Sequence, residues 1–209
     1  MAGCERSGRR EMKKFTAFVG IGSFFATVEE FLTVAVLKRD VASYFFTLFV
    51  LFPVFLTFVY FSSKLLDRLL DNEPARLLAH FLAYGFIGLM FEWFIIGLSP
   101  WRNQEGNAWL MLVFQIGMFS FWATVAFVPR LFLGPQELNR VIRKSLLRFY
   151  VPYFLLVYVV GLSVPVNLKF KTIIPLVIIG YTALNVFYFR YFLTAFSRSA
   201  AVNSRECRP

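Results

Sequence analysis

The sequence predicts an all-α membrane protein, a polytopic bundle of six transmembrane helices. Hydrophobic residues make up 58% of the 209 residues, against about 45–50% in an ordinary soluble domain. Charged residues make up only 16%, and they form short clusters between long apolar stretches, as expected of a chain surrounded by lipid. These stretches do not alternate in polarity, which excludes a transmembrane β-barrel.

Six apolar stretches are long enough to cross a bilayer, since a spanning helix needs about 17–25 residues. The predicted spans are residues 15–37, 41–63, 77–98, 108–128, 149–166 and 172–196, within one domain of residues 15–196. Residues 1–14 form a basic N-terminal tail and residues 197–209 a C-terminal tail. Six spans also allow a 3+3 arrangement of inverted repeats, as in many transporters.

The distribution of Lys and Arg predicts the orientation of the bundle, because basic residues resist translocation. Sixteen of the 22 basic residues lie in the tails and in the connections after the second and fourth spans, and five lie on the other side. Both termini are therefore expected to be cytoplasmic, in a plasma (inner) membrane protein. The basic charge serves topology in this interpretation, and no nucleic-acid partner is expected.

The connection between the fourth and fifth spans predicts a cytoplasmic amphipathic segment over residues 135–148. Leu138, Ile142 and Leu146 recur on one face of a helix there. The opposite face is basic, and its expected partners are anionic lipids on the cytoplasmic side of the bilayer. The candidate lipid contacts are Arg140, Arg143, Lys144 and Arg148. The alternative is that this segment only anchors the two spans that flank it.

Polar residues in three spans are expected to share one depth in the outer half of the membrane. Glu29 and Glu30 lie seven or eight residues before the outer end of the first span, and Glu92 lies six residues before that of the third. Gln115 lies seven residues after the outer start of the fourth span. These four residues are the candidate substrate- or ion-binding site.

An ionised carboxylate inside the bilayer costs about 2.5–3.5 kcal/mol on insertion scales, so these acids should point into the bundle. At least one should be protonated, or the group should bind a cation or cationic substrate. The alternative is that the first span lies lower in the membrane. Glu29 and Glu30 would then reach the outer interface and pair with Lys38 or Arg39.

No other motif in the sequence indicates a cofactor or metal. The two cysteines, Cys4 and Cys207, lie in opposite tails, where no metal or redox motif forms, so free thiols are expected. His80 is the single histidine, and we expect it to form a hydrogen bond between helices. No phosphate-binding glycine loop is present in the sequence. The sequence therefore predicts neither a bound cofactor nor a metal.

The stretch TVEEFLT, Thr27 to Thr33, resembles the P-x-E-E motif of membrane carotenoid cyclases of the lycopene type, with Thr27 in place of the proline. The resemblance implies that Glu29 and Glu30 protonate a polyene double bond. Intramembrane CAAX-type proteases are excluded, because their E-E-x-x-x-R motif has arginine where this chain has Val34.

Three functional classes follow from these observations. The first is a protein that binds or transports a small cation, a proton or an amphiphile through the outer carboxylate layer. The second is an intramembrane enzyme that acts on an isoprenoid or lipid by acid/base catalysis, with its catalytic residues unassigned. The third is a scaffold subunit whose acids are covered by a partner membrane subunit or a second copy. Acids without nucleophilic neighbours offer few covalent mechanisms, which favours the first class.

Overall fold

The computed structural model describes residues 2–97, 108–134 and 137–206, and within these ranges it is helical without strands. The α-helices are α1 (Ala2–Glu30), α2 (Val41–Phe46), α3 (Phe52–Leu69), α4 (Glu73–Phe91), α5 (Ala108–Leu133), α6 (Glu137–Ser163) and α7 (Val166–Glu206). Three wider π-helical segments continue or join them: Phe31–Leu37 after α1, Thr47–Leu51 between α2 and α3, and Glu92–Ile96 after α4. The all-α fold is confirmed.

Six of these helical stretches are long and apolar enough to cross a membrane, which confirms the predicted number of spans. They are Glu11–Leu37, Val41–Leu69, Glu73–Ile96, Met111–Leu133, Ile142–Ser163 and Val166–Ser197. The chain is therefore a multi-pass membrane protein. Because the number of crossings is even, the start of the first helix and the end of the last helix lie on the same side of the bundle.

The predicted amphipathic segment is not a separate surface helix over its described part. Helix α6 runs without a break from Glu137 into the fifth span, while residues 135 and 136 lie outside the described residues. The helix continues across the change in polarity around Arg148 and Phe149, although Pro152 cannot donate the backbone hydrogen bond to the Arg148 carbonyl.

Local signals account for the turns that separate the helices. Asp40 caps α2, because its carboxylate accepts a hydrogen bond from the Ser43 amide at 2.9 Å and another from the Ser43 hydroxyl. These hydrogen bonds favour the charged form and hold the pKa of Asp40 below its ordinary value. Pro74 lies in the first turn of α4, where its missing amide hydrogen costs nothing. Gly97 adopts a left-handed φ of 86° after Ile96, as is common where a helix ends.

Helix α5 is the centre of the bundle. Residues 121–129 are buried without interruption, which is typical of a helix with neighbours on all sides. It packs against α1, α4, α6 and α7. Helix α4 packs closely against it at Gly88, where a Cβ atom would lie 2.2 Å from Cβ of Trp122. This contact brings the last turn of α4 against a fully buried tryptophan.

Candidate binding site

The three predicted carboxyl groups lie at the junctions between α-helix and π-helix. Glu29 and Glu30 are the last two residues of α1, and Glu92 is the first residue of the π-helical segment after α4. Single π-helical turns are frequent at functional sites, because they widen the helix and change the direction of its side chains. We call these three residues the acidic cluster.

All three residues of the acidic cluster are buried, at 7%, 8% and 3% exposure for Glu29, Glu30 and Glu92. Among the side chains that the structure describes, no ion pair joins them to Lys38 or Arg39. Lys38 and Arg39 are themselves exposed. The ion pairs with Lys38 or Arg39 that the alternative of a lower first span requires are therefore not formed among the described residues, while the depth of Glu29 and Glu30 in the membrane stays a prediction.

The carboxyl groups of the acidic cluster repel one another. Glu29 interacts electrostatically with both Glu30 and Glu92, and Glu30 interacts with Glu92. The exposed Lys38 attracts all three from the edge of the site. Three buried carboxylates facing one exposed ammonium cannot all stay ionised at low cost. The site therefore requires protons, a bound cation or both.

Glu92 has one satisfied oxygen and one unsatisfied oxygen. Its Oε1 accepts a hydrogen bond from Nε1 of Trp122 at 3.0 Å. Its Oε2 is buried and has no hydrogen-bond partner among the described residues. Leaving a buried polar atom without a partner costs about 1–3 kcal/mol, and more for a charged group. A proton or a cation at Oε2 would remove this cost.

Gln115, the fourth predicted member of the site, forms its hydrogen bond with Trp93 and, among the described residues, not with the acidic cluster. Its Oε1 accepts a hydrogen bond from Nε1 of Trp93 at 2.7 Å. No hydrogen bond joins it to the acidic cluster in the described part of the chain. Trp122, seven residues further along α5, is the side chain that reaches Glu92. Gln115 and Trp122 are two helical turns apart and therefore share a face of α5. This periodicity is the sequence signal that could have indicated Trp122 as a residue of the site.

Tyrosines that the sequence analysis did not single out surround the acidic cluster. Glu29 interacts electrostatically with Tyr150, Tyr158 and Tyr181, and Glu30 interacts with Tyr44. The first two tyrosines lie on α6, eight residues apart and therefore near one face of the helix. The site thus combines buried acids with aromatic hydroxyl groups.

The hydroxyl groups of Tyr150 and Tyr158 form hydrogen bonds with the backbone of α1 just before Glu29 and Glu30. The Tyr150 hydroxyl donates to the carbonyl of Phe25 at 3.1 Å, and the Tyr158 hydroxyl donates to that of Val28 at 2.8 Å. These carbonyls lie within one turn of Glu29. The contacts hold the end of α1 against α6, and they place Glu29 beside polar groups rather than lipid.

A second polar group connects α3, α4 and α5 at the other end of the bundle. Nε2 of His80 contacts the carbonyl of Ala126 at 3.2 Å, and Nδ1 contacts Nη1 of Arg130 at 3.3 Å. The carbonyl can only accept and the guanidinium can only donate, so His80 is neutral with its hydrogen on Nε2. Nη2 of Arg130 pairs with Oδ1 of Asp67 at 2.5 Å. The predicted role of His80 as a hydrogen bonder between helices is confirmed.

No group of three His, Cys, Asp or Glu side chains is arranged to hold a metal ion among the described residues. The carboxyl groups of the acidic cluster interact electrostatically with one another.

The predicted lipid contacts lie in the first half of α6: Arg140 precedes the fifth span, Ile142–Ser163, and the other three fall within its first seven residues. Arg140, Lys144 and Arg148 are exposed. Arg143 is half-buried, and its Nη1 donates to the carbonyl of Phe132 at 2.8 Å near the end of α5. A cation at the C-terminal end of a helix is favourable for the helix dipole. Contact between these residues and anionic lipids stays a prediction.

The sequence matches no family model, no curated protein and no solved structure. The class of the protein is therefore defined by its own fold and site. It is a multi-pass helical membrane protein with a buried cluster of carboxyl groups.

Proposed function

We propose that this protein is a transporter that binds a small monovalent cation at the acidic cluster in competition with protons. The observation that carries the proposal is the unsatisfied, buried Oε2 of Glu92, beside two further buried carboxyl groups and no paired cation in the described chain. Binding a cation and binding protons both neutralise this charge, so the two should compete for the site.

The predicted depth of the acidic cluster and the charge of Lys38 determine how a cation would reach it. Lys and Arg counts predict cytoplasmic termini, which would place the acids in the outer half of a plasma membrane. The exposed Lys38 at the edge of the site would repel a cation that approaches there. The carboxyl groups together would have to overcome this repulsion, so neutralising one of them should weaken cation binding strongly.

The test is proton release from purified protein in detergent and weak buffer on addition of sodium, potassium or methylammonium chloride. The wild type should release protons as at least one of these cations binds. Glu92→Gln should bind the cation at least about tenfold more weakly, a difference of about 1.4 kcal/mol. A pH-sensitive dye reports both the amount released and the concentration dependence.

The matched control is Glu11→Gln, because Glu11 is an exposed carboxylate on α1, the helix that carries Glu29 and Glu30, and it pairs with Lys64. It should release protons like the wild type. Absence of release from the wild type with all three cations would contradict the proposal. An equal loss in both variants would also contradict it, because the effect would then not belong to the acidic cluster.

An isoprenoid enzyme would use the same carboxyl groups as acids. Membranes containing the wild type would then form a new isoprenoid product that Glu92→Gln does not form. Such a product without cation-dependent proton release would replace the transporter proposal with the enzymatic one.

A further inference from the structure

Buried hydroxyl groups continue from the acidic cluster along α7 toward the pair of Arg130 and Asp67. We propose that the hydroxyl groups of Tyr150, Tyr181, Ser120, Tyr188 and Thr124, here called the hydroxyl chain, conduct protons through intervening water between the acidic cluster and the end of the bundle that holds Arg130, with Asn185 positioning Ser120. The proposal rests on the proposed function, since it supplies a route for the protons that cations displace.

The chain begins at two tyrosines that interact with Glu29. The hydroxyl oxygens of Tyr150 and Tyr181 are 3.4 Å apart, and either group can donate. Both can also donate to the carbonyl of Phe25, at 3.1 and 3.4 Å. Tyr181 is fully buried within the bundle, at 1% exposure. These hydroxyl groups, which interact electrostatically with Glu29, can change hydrogen-bond partners by rotation.

The middle of the chain contains unsatisfied buried atoms. Nδ2 of Asn185 donates to the hydroxyl of Ser120 at 2.6 Å. Oδ1 of Asn185 and Oγ1 of Thr182 are both buried without a partner among the described residues. The two residues are three apart on α7, so their side chains lie near one face. Water bound to such atoms would satisfy them and bridge Tyr181 to the next hydroxyl.

The chain ends beside the charged residues at the opposite end of the bundle. The hydroxyl of Tyr188 donates to Oγ1 of Thr124 at 3.3 Å, and both residues are fully buried. Tyr191, one turn further along α7, interacts electrostatically with Arg130. Arg130 in turn pairs with Asp67. Polar groups thus continue from Tyr188 to a half-exposed ion pair.

The length of the chain suits a route through the membrane interior. Tyr181 and Tyr188 are seven residues apart on α7, which is about 10 Å of helix. The hydrocarbon core is about 30 Å thick, so the chain covers about a third of it. The acidic cluster lies beyond one end, and the Arg130 pair lies beyond the other.

Each transfer step conserves atoms. A hydroxyl or water oxygen accepts the incoming proton and releases its own hydrogen to the next oxygen, so one proton moves and no electron is exchanged. The titratable and charged groups that interact with the chain are Glu29, Tyr158, Glu73, Arg130 and, through Arg130, Asp67. Glu29 lies at one end of the route and the ion pair of Arg130 with Asp67 lies at the other.

The test is proton flux in liposomes that contain the purified protein and a pH-sensitive dye, driven by a potassium diffusion potential. In Tyr188→Phe the ring still fills its place, but the hydroxyl is missing. Flux should fall about a hundredfold, the lower end of what a positioned proton-transfer group contributes. Cation-dependent proton release in detergent should stay near the wild-type level, because the acidic cluster is intact.

Tyr153→Phe is the matched control, since the Tyr153 hydroxyl donates to the carbonyl of Leu176 at 2.8 Å outside the chain. Its flux should equal that of the wild type. Unchanged flux in Tyr188→Phe would overturn the hydroxyl chain, and retained proton release would show that the acidic cluster still functions. Absence of flux in the wild type would also overturn the chain. Absence of release in detergent would, by contrast, reject the proposed function.

Discussion

At the scale of single residues, the sequence predicted which acids are buried but not what they contact. Glu29, Glu30 and Glu92 had to avoid lipid, because no basic residue shares their position in the spans. Their partners depend on packing across helices: the Trp122 indole is 30 residues away from Glu92 in the chain. Gln115 was assigned to the site because of its predicted depth in the membrane, but depth does not determine which way a side chain points.

The close contact at Gly88 gives a prediction at this scale. Gly88→Ala would place a methyl group 2.2 Å from Cβ of Trp122, so α4 must move away from α5. We expect it to destabilise the protein by about 1–3 kcal/mol, the usual cost of overpacking. Loss of tryptophan near-UV circular dichroism on heating in detergent would measure this.

Gly20→Ala is the control for that measurement, since a Cβ atom there meets nothing within 4 Å. Alanine in this exposed helical position should stabilise the protein by about 0.5–1 kcal/mol. A Gly88→Ala protein as stable as Gly20→Ala would show that α4 and α5 do not pack as closely as described.

At the scale of helices, hydrophobic length predicted the spans, while their internal geometry was not predictable. The π-helical segment Phe31–Leu37 has the sequence FLTVAVL, whose apolar residues fit an ordinary helix equally well. Nothing in this sequence therefore selects π-helical over α-helical hydrogen bonds. The continuity of α6 was missed for a related reason: a change from basic to apolar residues indicates where the membrane begins, not where a helix ends.

The ion pair of Asp67 and Arg130 gives a prediction at this scale, because it joins α3 to α5. In a double-mutant cycle with Asp67→Asn and Arg130→Gln, the coupling energy should be about 1 kcal/mol, as expected of a partly exposed pair in a membrane protein. Thermal unfolding of the four proteins in one detergent measures it. A coupling energy near zero would mean that the pair does not connect the two helices in solution.

At the scale of the whole molecule, composition was sufficient to predict the class. A chain with 58% hydrophobic residues and 28 phenylalanines cannot bury them all in a single domain, so lipid must cover the remainder. The orientation of the bundle and the identity of the membrane stay predictions. They depend on how the chain is inserted rather than on how its helices pack.

Cysteine labelling tests the orientation directly. Cys4 and Cys207 lie in the two tails, and Val164→Cys would introduce a thiol in the turn between α6 and α7. An impermeant maleimide added to intact cells should label only the introduced cysteine, because the tails are predicted to be cytoplasmic. Labelling of the native cysteines in intact cells, with Val164→Cys protected, would reverse the orientation.

Helix α7 extends far beyond the length that a membrane requires. It contains 41 residues, or about 60 Å of helix, roughly twice the thickness of the hydrocarbon core. Pro175 removes one backbone hydrogen bond near its start, and about 45 Å of continuous helix follows to Glu206. If the helix bends at Pro175, a tilt of about 10° would move Glu206 by roughly 8 Å, so a small rearrangement around Tyr188 would become a large displacement at the end of the helix.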